Sequence, residues 1–466
     1  MTPMNQNDST TMKRVALLTA TLSSFLTPFM VNAINVALPI IGKKFSADTV
    51  LLSWVATGYL LAAAVFLLPF GKVADIYGRK KVFTYGILTY TIASLLCAIS
   101  TSMPLLIGFR VLQGLGAAMI AGTGVAILTS VSPIQERGKV LGINVAATYL
   151  GLSLGPVLGG ILTQQLGWRS IFLVNVPIGL IVLALVFWKL KGEWVGAGGE
   201  KLDFVGSLVY GLALVALMYG ISRLPALWGA GLILAGLVGL GLFVWRQVRV
   251  AHPVLNMDLF RNSAAFTFSS LAALIHYSAT SAVTFLLSLY LQYIKALTPQ
   301  NAGLILVAQP AVQAALSPLA GRLSDRIASR VLASAGMAVT VVGLLLLISL
   351  SGQTTVGFVV LSLMLLGFGF GLFSSPNMNA IMSSVEGRYY GVASAMVGTM
   401  RLIGQMLSMA IATLVFVIYI GKVQITPEYY PVFLTSLKTL FIIFAVLCCG
   451  GIVASLARGS SSPPAG

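Results

Sequence analysis

Charge is what this chain has least of. Only 8% of its 466 residues are Asp, Glu, Lys or Arg, against about 25% in a soluble globular domain. That deficit excludes a water-soluble surface, so the apolar side chains must face lipid. Acids are scarcer than bases, 11 against 28. The three cysteines, Cys97, Cys448 and Cys449, fall in apolar segments and two are neighbours, which excludes a disulfide framework or a metal-ligand spacing. With two histidines, no buried carboxylate pair and no long soluble loop, an enzyme is excluded and no metal or cofactor is expected. No G-x-x-x-x-G-K-[ST] loop is present, which argues against a nucleotide-driven pump. A receptor would need a ligand-binding domain outside the membrane, and the chain offers no segment for one.

Long apolar runs take up most of the chain, with 58% hydrophobic residues and a mean hydropathy of +0.97. A crossing helix needs about 20 apolar residues. Fourteen stretches qualify, over 15–40, 50–70, 82–100, 104–130, 140–163, 170–189, 204–221, 226–245, 264–293, 301–320, 331–350, 355–383, 390–420 and 433–456. The first is too long for the apolar core of a signal peptide and reads as retained. An even number of spans puts both termini on one side, and that side carries nineteen of the 28 basic residues against six on the other. Both termini are therefore expected in the cytoplasm, with the chain as a multi-pass protein of the inner or plasma membrane. The net charge of +17 is then a topology signal and not a nucleic-acid footprint.

The chain repeats itself at an offset of 250 residues. Gly71-Lys72-Val73-Ala74-Asp75 through Gly78-Arg79 follows the second span, and Gly321-Arg322-Leu323-Ser324-Asp325-Arg326 follows the tenth. Glu136 and Glu386 stand at the same offset before the fifth and thirteenth spans. Spans one to six and nine to fourteen are thus two copies, with the seventh and eighth inserted between them. Glycine lets two helix ends approach closely, and an Asp near a helix end can pair with the following Arg. Gly71, Asp75, Gly78, Arg79, Gly321 and Asp325 are the expected gate and conformational switch.

These residues resemble the major facilitator superfamily, and within it the fourteen-helix drug:proton antiporter family, over nearly the whole chain. Gly71 to Lys81 is similar to that family's motif A. Leu106, Arg110, Gln113, Gly114 and Gly116 resemble motif B, whose arginine the resemblance links to proton transfer. Gly151, Gly155, Pro156, Gly159 and Gly160 resemble motif C, which separates antiporters from symporters, and Trp168-Arg169 through Asn175-Val176-Pro177 follows the pattern too. The resemblance implies an all-α major facilitator fold of two six-helix bundles plus two inserted helices. Its expected parts are a cytoplasmic N-terminus (1–14), an N-terminal bundle (15–190), an inserted pair with its linker (191–262), a C-terminal bundle (263–457) and a disordered tail (458–466). One position departs from the pattern: where the first helix usually carries an Asp, five residues before Asn35, this chain has Met30. All 11 acids sort to loops or span ends, so the interior favours neutral or anionic amphiphiles.

A mid-helix Arg costs about 2.5 to 3.5 kcal/mol even on the lenient insertion scale, so Arg110 is the expected coupling residue. His276, in the ninth span, is its expected partner in proton coupling because imidazole titrates near neutral pH. Arg401 stands one repeat offset from Gly151. Lys438 is close enough to a span end to snorkel to the interface, and His252 reads as surface. The resemblance implies that spans one, four, nine and twelve line a central cavity. Asn32, Asn35, Gln113, Tyr149, Asn377, Asn379 and Arg401 are the expected substrate contacts. Gly151, Gly155 and Gly159 share one helix face, and Pro156 removes a backbone hydrogen bond, so this helix is expected to kink at a gate. The apolar residues among the charges of 246–261 are expected to lie on the inner leaflet. The expected activity is secondary active, proton-coupled export of small amphiphilic drugs or metabolites by a monomer in contact with lipid. The alternative is a metabolite-specific importer or facilitator, including one for anions.

Overall fold

The computed structural model describes residues 6–190, 192–324, 326–385 and 390–458, with the side chains of 6–10, 134, 135, 390 and 391 left aside. Asp325, Glu386 and the tail from 459 onward lie outside the described residues. Among the described residues fourteen helices are long and apolar enough to cross a membrane. The first six are α1 (Thr11–Phe45), α2 (Thr49–Tyr77), α3 (Arg79–Ile99), α4 (Met103–Val131), α5 (Glu136–Leu166) and α6 (Arg169–Trp188). The inserted pair is α7 (Phe204–Ser222) and α8 (Leu227–Gln247). The last six are α9 (Ala264–Ile294), α10 (Pro299–Leu323), α11 (Ser329–Ile348), α12 (Val356–Ser383), α13 (Val392–Tyr419) and α14 (Pro427–Leu456).

The starts of six of these helices are written in the sequence as side-chain caps. Asp48, Ser102, Asp203, Ser263, Thr298 and Thr355 each accept from the backbone N–H three residues on, which satisfies a donor the helix itself cannot. The second span runs further than its expected end. Between Pro69 and Gly78 nothing breaks the helix, so α2 continues to Tyr77 and Gly71 and Asp75 lie in its last turns. The turn comes at Gly78, whose φ of 121° excludes a side chain at low cost.

The repeat reappears as repeated packing. α1 lies on α5 as α9 lies on α13, α2 on α4 as α10 on α12, and α3 on α4 as α11 on α12. Between the halves, α2 meets α13 and α5 meets α10. The inserted α7 docks on α2 and α13, with Tyr210 Oη donating to Ala64 O (3.1 Å) and Trp54 Nε1 donating to Ser222 Oγ (3.0 Å).

Two sequence expectations change here. The segment 246–261 does not keep its apolar side chains for lipid: Leu255, Leu259 and Phe260 pack against Phe266, Ile381, Ala393 and Met396 of the second bundle, Phe260 edge-on to Phe266. At this helix junction the second bundle gives them an apolar partner that covers part of their surface. Arg458, expected in the tail, is buried and its Nη2 donates to Asn377 Oδ1.

Candidate substrate cavity and its two ends

A cavity of about 2330 Å³ lies between the two halves. Its wall runs from Asn35, Ala56 and Thr284 in the interior to Asp75, Arg137, Glu200, His252 and Ser329 at the end where basic residues concentrate. It opens at that basic end.

At the opposite end the halves are closed on each other by hydrogen bonds. Ser288 Oγ donates to Asn35 O (2.7 Å) and Gln292 Nε2 to Val36 O (2.8 Å). Thr49 Oγ1 donates to Gly421 O (2.8 Å), and the Ser53 and Thr413 hydroxyls meet at 2.9 Å. Close backbone approach completes the seal: a Cβ on Gly303 would stand 2.1 Å from Pro156 O, and one on Gly160 2.5 Å from Pro299 O. The three glycines expected on one face of α5 do share it. Gly151, Gly155 and Gly159 lie against the backbone of α1 at Phe25, Phe29 and Ala33. This helix therefore carries a tight face within its own half and, through Pro156 and Gly160, a tight edge toward the other half.

At the basic end, Asp75 and Arg79 form an ion pair of 2.8 Å, and Arg79 Nη1 donates to Ser130 Oγ (2.8 Å) on α4. The loop after α6 is fastened to this corner. Glu193 accepts from the backbone N–H of Lys80 (2.7 Å) and Lys81 (3.2 Å), capping α3, while Gly196 N and Ala197 N donate to Asp75 O. Lys72 pairs with Glu200, and the Lys72 ammonium holds the Glu200 carboxyl below the usual carboxylate range. His252, expected as plain surface, has its Nδ1 3.5 Å from the same Glu200. Burial works against the charge of Asp203, yet donors from Arg246, Gly206 N and Gln247 outweigh it and hold its carboxyl low as well.

With this geometry the comparisons with known proteins are direct. The model of one family, the Major Facilitator Superfamily, matches residues 20–275 and 269–465. The chain belongs to the Major Facilitator Superfamily. This facilitator is 33% identical over 385 residues to the multidrug resistance protein Stp of Mycobacterium tuberculosis, covering 81% of its own length and 71% of that protein. It is 29% identical over 392 residues to the riboflavin transporter RibZ of Clostridioides difficile, covering 84% and 85%. In fold it is similar to a bacterial homolog of the human lysosomal transporter Spinster, solved in an inward-facing and unoccupied conformation. The TM-score is 0.71 at 15% identity over 97% of this chain and 99% of that one. It is a multi-pass membrane transporter, of a family that is not enzymatic, and its relatives include proteins named for multidrug resistance and drug efflux.

The facilitator brings most of its expected contacts to the cavity. Asn32, Asn35, Tyr149, Asn377, Asn379 and Arg401 all reach the wall, as do Gly71, Asp75 and Arg79. Asn32 Nδ2 is anchored on Leu152 O (2.9 Å), and Tyr149 Oη reaches across the cavity to Ser374 Oγ (3.3 Å). Gln113 does not reach the wall. It is fully buried, accepting from Arg110 Nη1 (2.6 Å) and donating to Ser94 Oγ (2.8 Å). Arg110 lines the cavity with its guanidinium over the Tyr59 ring (4.3 Å) and its Nε on Val55 O (3.0 Å).

His276 is not on the wall either. Its ring sits 4.1 Å from Phe373 and 4.6 Å from Phe370, and neither nitrogen finds a partner among the described residues. Neighbours on a helix point about 100° apart, so Tyr277 faces the cavity in its place. The sequence does not single out Tyr277, Phe370 and Ser374, because their spans are apolar nearly all round. Gln309, Gln313 and Gln405, which in sequence are generic polar residues within spans, are on the wall as well.

Proposed function

We propose that this facilitator exports small amphiphilic molecules in exchange for protons by alternating access, as a monomer whose basic end faces the cytoplasm. The observation that carries the reading is the cavity itself: open at one end and sealed at the other by hydrogen bonds that all run between the two halves. Rocking the halves would break that seal and close the basic end. The excess of Lys and Arg at the open end supports the orientation, and relatives named for multidrug resistance support export.

In this reading Gly71, Asp75, Gly78 and Arg79, with Gly321 of the second repeat, form the switch at the cytoplasmic mouth. Arg110 is the coupling residue, acting as a fixed charge whose partners change, since a guanidinium does not release its proton near neutrality. His276, enclosed by aromatic rings, serves packing and not proton relay.

The test uses acid-loaded proteoliposomes with lipophilic cations, neutral drugs and organic anions added in turn. Proton release on adding a transported compound, lost in Arg110→Ala, is expected. Transport that proceeds with no proton movement would overturn antiport. A second reading, an importer or facilitator for an anionic metabolite, draws on the cations Arg110 and Arg401, and the same assay separates it by the direction of substrate flow.

A further inference from the structure

The two halves differ where the cavity is deepest in charge. On α5 the repeat positions are Gly151 and Gly155, both pressed against the backbone of α1. Their counterparts on α13, one offset of 250 later, are Arg401 and Gln405, and both line the cavity. The close approach of α13 to α9 is served instead by Gly404, where a Cβ would stand 2.7 Å from Leu274 O. Packing therefore does not require Arg401 or Gln405. Spaced by four residues, they project from one face of the helix.

Arg401 makes no hydrogen bond or ion pair among the described residues, whereas Arg110 is held by Val55, Gln113 and Tyr59. A guanidinium has five donors, and those of Arg401, half-buried on the cavity wall, are left for an acceptor that enters the cavity. The described cavity wall holds two acids, Asp75 and Glu200. Both are at the basic mouth and both are already paired, with Arg79 and Lys72. Arg401 shares the cavity wall with flat apolar faces: Tyr277 and Phe370 stand 5.4 Å apart at 67° and both line the cavity.

We propose that the cavity recognises an anionic aromatic amphiphile, its acid group taken by Arg401 and Gln405 and its ring by the Tyr277–Phe370 corner. The proposal deepens the reading above, since it takes the cavity to be the transport site. A carboxylate matches the planar fork of the guanidinium with two parallel hydrogen bonds. A cation of the same shape would meet two guanidiniums and, among the described residues, no unpaired carboxylate.

The experiment measures equilibrium binding of naphthylacetate, naphthylacetamide and naphthylethylammonium to the purified full chain in lipid nanodiscs, with no proton gradient. Naphthylacetate is expected to bind about tenfold or more tighter than the amide, with the ammonium weakest. Arg401→Gln should erase the difference between acid and amide, and Gln405→Leu should narrow it. Arg401→Lys should keep part of it. Equal affinity for acid and amide in the unaltered protein, preference for the ammonium, or an acid preference that survives in Arg401→Gln would overturn the proposal. The unaltered protein decides the charge class by itself, so a variant that fails to fold does not leave the matter open. Binding is read without transport. An acid preference with no proton movement in liposomes would sink antiport and leave this site standing.

Discussion

Arg110 of α4 lies with its guanidinium 4.3 Å from the ring centre of Tyr59 of α2, and Nε reaches Val55 O one turn away on the same partner helix. The charge is thus shared between a π face, a carbonyl and the Gln113 amide, a geometry that a planar fork fits and an ammonium does not. Arg110→Lys is expected to lose most uphill transport while the protein still folds. Arg110→Ala should also lower thermal stability, because Gln113 Oε1 loses its donor, at about 1 to 3 kcal/mol for a buried group left unpaired. Transport against a gradient and a melting curve in nanodiscs check both. Full uphill transport by Arg110→Lys would remove the coupling role.

The sealed end rests on glycines where the halves cross. Gly303→Ala would push a methyl group to within 2.1 Å of Pro156 O, so the α5–α10 contact must open. The variant is expected to favour the state open at the opposite end. A cysteine placed at Asn35 should then become labelled by a membrane-impermeant maleimide from that side. Labelling no faster than in the Gly303 background would show that the contact does not hold the seal.

Asp75 is tied in two ways, through its carboxylate to Arg79 and through its carbonyl to Gly196 N and Ala197 N. Asp75→Asn removes only the first. Transport is expected to fall about tenfold with expression and melting temperature nearly unchanged, since an exposed ion pair contributes little to stability. Normal transport rates would dismiss the switch.

The Lys72–Glu200 tie sets its own pH window. The folded carboxyl lies below its ordinary value because of the Lys72 hydrogen bond, so the folded state binds fewer protons there than the unfolded chain. The stabilisation is present above the ordinary carboxylate value, about 4.3, and is lost as pH falls through the lowered one. Glu200→Gln should therefore leave the shape of the transport profile between about pH 5 and 8 unchanged. A profile that shifts in this range would mean the tie titrates with turnover.

His276→Phe replaces a ring whose two nitrogens have no partner among the described residues by one that suits Phe370 and Phe373. Unfolding in nanodiscs is expected at equal or higher temperature, with the pH profile of transport retained. A flattened profile would return His276 to proton relay.

Several of these positions are legible in the amino-acid sequence alone. Asp48, Ser102 and Thr355 mark helix starts because a capping side chain acts on donors three residues away, a local effect. The glycines of α5 advertise a close-packed face by their spacing of four. His276 and Tyr277 are not separable in the same way. Both lie in a span apolar on nearly every side, so hydropathy gives no phase, and only the position of α12 turns one to the cavity and the other to Phe373. Gln113 differs from its expected place for the same reason, since Arg110 stands between it and the cavity.

The amino-acid sequence by itself determined that this protein has fourteen segments able to cross a membrane, that it is built twice over at an offset of 250 residues, and where its cations fall within those segments. Those properties follow from hydrophobic length, charge and spacing, which are summed over neighbours in the chain. Tertiary structure alone decided that the cavity opens at the basic end, that Asn35, Val36 and Gly421 carry the seal through their carbonyls, and that Arg401 has no hydrogen-bond partner among the described residues while Arg110 has. The seal and the anchoring of Arg110 on Val55 O depend on groups more than fifty residues apart meeting at hydrogen-bond distance, and only the packing of one helix against another fixes that distance.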